Sequence, residues 1–110
     1  MPKRPDDIIA AIRKREDDHL ERCVVFVCNT IDGHLEKFSK IEDDGSVSVT
    51  SSIDIRFVLK ETPVPVGVRD PSLSSIIEIV SERFKDVGWN MDVEERSDTY
   101  FIIKMRSYMG

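Results

Sequence analysis

With 110 residues, 40% apolar and 34% charged, the chain has the size of one domain with a real core and the composition of a soluble globular protein. No apolar run reaches the ~20 residues of a bilayer crossing, and "MPKRPDDII" lacks the apolar stretch of a secretory signal, so a cytoplasmic setting is expected. The net charge of −5 is uneven: residues 1–40 carry eight basic and eight acidic side chains, so the whole excess falls on 41–110, against nonspecific binding to phosphate backbones.

The first element is predicted over residues 5–40. Leu20, Val24, Val27, Ile31, Leu35 and Phe38 are spaced 4, 3, 4, 4 and 3 apart, the stripe of an amphipathic helix. Ile8, Ile9 and Ile12 carry the stripe back beyond the charged stretch Arg13 to Asp18. Arg13 with Asp17, Lys14 with Asp18, and Asp18 with Arg22 stand four apart and are expected to pair on an exposed face. "CVVFVC" also suits a buried strand, so residues 23–28 keep two readings, the helical one being better supported. Gly33 either sits inside the helix at ~1 kcal/mol or caps it, with His34 to Lys40 opening a second piece. A helix from Pro5 to Gly33 would span ~43 Å, against a radius of gyration of ~13 Å for a compact domain of this size. Its end would overhang, and its stripe would call for cover from a second chain.

"EDDG", Glu42 to Gly45, is a polar turn. Val47, Val49, Ser51, Ile53, Ile55, Phe57 and Leu59 then alternate with polar residues, predicting a strand bent or split near "TSS". The prolines of "ETPVPVGVRDP" make it an extended connector. Asp70 and Pro71 are placed to start a helix whose apolar face is Leu73, Ile76, Ile77, Val80, Phe84 and Val87, with Gly88 as its C-terminal cap. Trp89 should fold back on that helix as a core plug. Met91 and Val93, a turn from Glu95 to Asp98, and Phe101, Ile103 and Met105 predict a C-terminal β-hairpin. Tyr100 falls on the face opposite Phe101, and Tyr108 and Met109 on a terminal tail. The expected fold is one α+β domain over 1–110: a helical region at 5–40, then a strand–helix–hairpin core at 46–110, with helices on one face of a mainly antiparallel sheet.

The succession of charged N-terminal helix, "GSVSV" strand, capped helix, "VGWNMDVEE" and "TYFIIKM" resembles small accessory proteins encoded by bacteriophages, over most of the chain as a pattern of elements. The resemblance implies a phage origin and action by binding a protein. It carries over no functional residue.

His19, Cys23, Cys28 and His34 have zinc-ligand chemistry, but a helix puts Cys28 ~140° from Cys23 and a strand puts the two on opposite faces. Neither gathers four ligands. The cysteines read as small buried hydrophobes, with a nucleophilic Cys–His pair as the minor reading. Asp54, Lys60 and Glu61, or Asp92, Glu94 and Lys104, could serve a metal-dependent hydrolase or nuclease, although alternating charges on a wet sheet face are ordinary. No GxxxxGK[ST], GxGxxG or GxSxG occurs, and no cofactor is implied.

The expected function is therefore non-enzymatic: an accessory protein that self-associates, a dimer being favoured, or binds a partner protein. Leu20, Val24, Val27 and Ile31 are the expected contact stripe, and Tyr100 an exposed anchor. One alternative is an acidic inhibitor covering a nucleic-acid-binding surface of another protein. The other is the small metal-dependent hydrolase or nuclease.

Overall fold

The computed structural model describes residues 2–107; Tyr108 and Met109 of the terminal tail lie outside them. The elements are α1 (Pro5–Phe38), β1 (Lys40–Ile41), β2 (Val47–Asp54), α2 (Ile55–Glu61), α3 (Leu73–Asp86), β3 (Trp89–Ser97) and β4 (Tyr100–Ser107). The strands form one antiparallel sheet in the order β1-β2-β4-β3, and the expected α+β architecture with its long first helix and closing β3–β4 hairpin is present. Residues 23–28 are helical. So is Gly33: the ~1 kcal/mol that an interior glycine costs is offset on either side by buried Ile31 and half-buried Leu35. His34 adds a 2.9 Å bond between its Nδ1 and the Ser51 hydroxyl of β2.

Val49, Ser51 and Ile53 of β2 lie opposite Met105, Ile103 and Phe101 of β4, and all six point to the buried face. β3 adds Trp89 and Met91 on the same side, both half-buried against the core. Cys23, Val24, Val27 and Ile31 of α1 and Leu73, Ile76, Ile77, Val80 and Phe84 of α3 complete it. The other sheet face bears no helix and exposes Thr50, Ser52, Lys104 and Arg106.

Two boundaries differ from the sequence prediction. The alternation from Val47 to Leu59 is not one strand, because the chain turns helical at Ile55. Asp54 causes the change: its side chain accepts from the Arg56 backbone N–H at 2.8 Å, the bond that starts a helix. Ile55 and Val58 then bury themselves three apart, while Phe57 leans out onto Phe26 of α1 with ring centroids 5.5 Å apart. Helix α3 starts two residues later than Asp70 suggested, since Ser72 accepts from the Ser75 N–H and is the cap. Gly88 does end it, at φ +103, a value that strains any residue with a Cβ.

Candidate interaction surface

Helix α1 is continuous for 34 residues, ~51 Å at 1.5 Å per residue. The described chain measures 66 × 27 × 21 Å, with a radius of gyration of 16.9 Å, well above the ~13 Å of a compact domain of this length. The excess comes from the N-terminal part of α1. Its first fully buried residue is His19, and every residue from Pro2 to Ala11 is exposed.

The predicted contact stripe is not on that projecting part. Val24, Val27 and Ile31 have no exposed surface, and Leu20 is half-buried against the same core. Their cover comes from α3 and the sheet of their own chain, so these side chains are not open to another molecule. Tyr100 is 37% exposed at the start of β4, clear of α1 on the uncovered sheet face. The expected charge pairs of Arg13, Lys14, Asp17, Asp18 and Arg22 are absent from the ion pairs of the described residues. Instead Glu21 takes both guanidinium nitrogens of Arg83, at 3.0 and 2.6 Å, locking α1 to α3. That hydrogen bonding holds the Glu21 carboxyl below its ordinary value and raises Arg83.

What remains open is the outer run of the same stripe. Ile8 is 45% and Ile9 47% exposed, and Ile12 is half-buried. Ile9 and Val27 are 18 residues apart, ~5 full helical turns, and so lie on one side of α1. At the inner end of the segment Arg15 donates to the Val66 carbonyl at 3.2 Å. This holds the 62–72 connector, with Val66 91% exposed, beside the helix.

The other candidates resolve differently. His19 and Cys23 do meet, Nε2 to Sγ at 3.6 Å, and Cys23 Sγ lies 3.3 Å from Thr62 Oγ1. The Thr62 hydroxyl donates to the Val58 carbonyl at 2.6 Å, and His19 Nδ1 is buried with no partner among the described residues. Cys23 has no exposed surface, so no substrate reaches the sulfur, and the pair reads as core. Cys28 lies apart beside Arg83, where burial pushes its thiol up, and His34 is held by Ser51.

The two nuclease sets fare differently. Asp54 caps α2 and pairs with Arg56, which holds its carboxyl down, while Lys60 and Glu61 belong to α2 and share no strand face with it. Asp92 and Lys104 are cross-strand partners on the open sheet face. No group of three or more metal-ligating side chains converges among the described residues. A cleft of 280 Å³ opens between Phe26, His34, Asp54 and Phe57.

No family model, curated protein or solved structure matches the chain. No helix among the described residues is long and apolar enough to cross a membrane. The one sequence signal of the projecting run is the gap of eight residues between Ile12 and Leu20, filled by the charged stretch Arg13 to Asp18; the packing of α3 and β2 then decides where cover stops.

Proposed function

We propose that the protein works by contact with another protein chain, and that the projecting segment of α1, residues 5–16, is the contact element. The observation that carries this is the exposure of Ile8 and Ile9 on an apolar stripe that is fully covered at Val24, Val27 and Ile31 of the same helix. Helical stability in proteins comes mostly from packing of such a face, and a segment this exposed lacks that support within its own chain. The resemblance to phage accessory proteins implies action by the same means. A photo-cross-linking side chain placed at Ile9 or Ile12 should yield protein adducts in cells, and one at Lys14, on the opposite side of the helix, should not. Absence of adducts from all three positions, in a protein that remains folded, refutes the reading.

A second reading has its own observation. Asp92 and Glu94 are exposed side by side on the open face of β3, an edge strand of the sheet, where an acidic cover for a basic nucleic-acid-binding surface would place them. Complexes held this way weaken steeply with salt. A complex that survives high salt and depends on Ile9 excludes it.

A further inference from the structure

We infer that the free edge of β2 at residues 50–54 is a second binding site, and that its occupant is an extended peptide segment of another protein. The segment pairs with β2 as a further strand and carries one large apolar side chain. This site is separate from residues 5–16 of α1 and does not depend on them. The hydrogen bonds of the sheet locate it. The Ile55 N–H donates to the Thr99 carbonyl at 2.8 Å, in register with Ile53 opposite Phe101 and Ser51 opposite Ile103. Backbone groups of antiparallel strands alternate between the two sides, so the odd-numbered residues of β2 bond β4 and the even-numbered ones face the other way. On that side the Glu42 N–H donates to the Ser46 carbonyl at 2.8 Å, in register with Lys40 opposite Ser48. Thr50 and Ser52 come next in the same row. Their outward N–H and C=O groups have no backbone partner among the described residues, because β1 begins only at Lys40, directly after α1.

A cleft adjoins those groups. Ser52 and Ile53 both line the cleft of 280 Å³, and their side chains lie on opposite faces of the sheet. The cleft therefore passes around an edge of β2, and β4 fills the other edge. Phe26, Thr30 and His34, four apart on one flank of α1, form a second wall. Phe57 closes the end, its ring 5.5 Å from that of Phe26. A strand laid here would bond Thr50 and Ser52 through its backbone. Its side chain opposite Ile53 would turn in between Phe26 and Phe57, where burial of apolar surface favours binding. A row of unpaired N–H and C=O groups is a template for a further strand, and pockets for alternate side chains then give the choice of peptide. The two charged residues of β1 and β2, Lys40 and Asp54, are each paired within the chain, with Glu42 and Arg56, so an uncharged segment fits. The outer edge of β3 is open too, but Asp92, Glu94 and Arg96 line it and a bulge interrupts it between Glu95 and Ser97. Those features keep strands from joining, and Thr50 and Ser52 have none of them.

The test offers displayed random eight-residue peptides to the whole chain and returns the selected sequences, as synthetic peptides, to amide-exchange NMR. The expected peptides are uncharged, share one large apolar residue, slow the exchange of the Thr50 and Ser52 N–H groups, and shift the resonances of Phe26 and Phe57. Methylating a peptide nitrogen that faces β2 should weaken binding roughly tenfold, and methylating the next nitrogen, which faces away, should not. Ser52→Pro should weaken it as much, since it removes an N–H that the fold does not use. Circular dichroism verifies that variant, and the methylated peptides decide the matter if it unfolds. Failure to select any peptide, or selected peptides that leave Thr50 and Ser52 exchanging as before, overturns the site. Peptides that shift residues 5–16 instead overturn it while upholding the contact element of α1. Protection of the same two N–H groups by raised protein concentration alone would make the occupant a second copy and overturn the foreign segment.

Discussion

Replacing Ile31 and Ile9 by alanine, one at a time, compares two isoleucines of one helix in opposite surroundings. Ile31 has no exposed surface. Shortening it to alanine removes three carbons, ~2.4 kcal/mol at ~0.8 per buried methylene, and the unfilled space raises the loss to about 3–4 kcal/mol. For a domain of this length that corresponds to a fall in Tm of roughly 15 °C. Ile9 is 47% exposed and has no element of its own chain across from it. Little transfer energy is lost, and alanine's better helix propensity returns a few tenths of a kcal/mol, so the expected change is within about 0.5 kcal/mol. Urea unfolding followed by helical circular dichroism, in dilute solution where association does not contribute, measures both. Similar losses at the two positions, or a larger loss at Ile9, would refute the division of α1 into a covered and an open part.

Val24→Glu with Val27→Glu puts two carboxylates where no solvent reaches, at a cost comparable to the whole stability of a small domain, ~5–15 kcal/mol; the chain should unfold, and a folded variant that merely dissociates would mean these residues face a partner after all. Acid should destabilise the native chain. Glu21, Glu42, Asp44 and Asp54 are each held below their ordinary values, chiefly by hydrogen bonds with Arg83, Ser48, Ser46 and Arg56 respectively. Folded values below the unfolded ones give stability that is complete above the ordinary carboxylate range of ~4 and is lost as pH falls through the lowered values; a urea midpoint unchanged between about pH 5 and 2 would contradict this. In the native protein, alkylation should modify Cys28 slowly, its thiol being pushed up by burial, and leave Cys23 untouched until unfolding; mass spectrometry showing Cys23 labelled first would mean that the His19–Cys23–Thr62 cluster is open.

Much of the fold was legible because its elements follow one period at a time. The 4, 3, 4, 4, 3 spacing identifies α1 against the strand-like run "CVVFVC", and Leu73 to Phe84 and the closing hairpin are equally plain. The prediction failed where two periods coincide. Ile53, Ile55, Phe57 and Leu59 alternate as a strand would, while Ile55, Val58 and Leu59 also fit one helix face, and a single bond from Asp54 selects the helix. The candidate surface was half legible. A long helix with an apolar stripe could be read from the spacing, but which of its two apolar runs the rest of the chain would cover could not. Placing the contact at Leu20 to Ile31 therefore chose the part that the chain's own tertiary packing uses. Tyr100 was correctly expected on the face away from Phe101, by the strict alternation of a strand.

Gly33 lies within α1 with no break in the helix and no positive φ, so the core and the projecting tip are parts of one stiff rod. From His19 out to Pro5 the rod runs ~21 Å, and a tilt of ~10° where α1 is seated would carry its tip nearly 4 Å. The core residues beneath α1 thus act as the fulcrum of a lever. A repacking at Val27 or Ile31 too mild to unfold the domain would re-aim Ile8 and Ile9 by nearly 3 Å for that tilt.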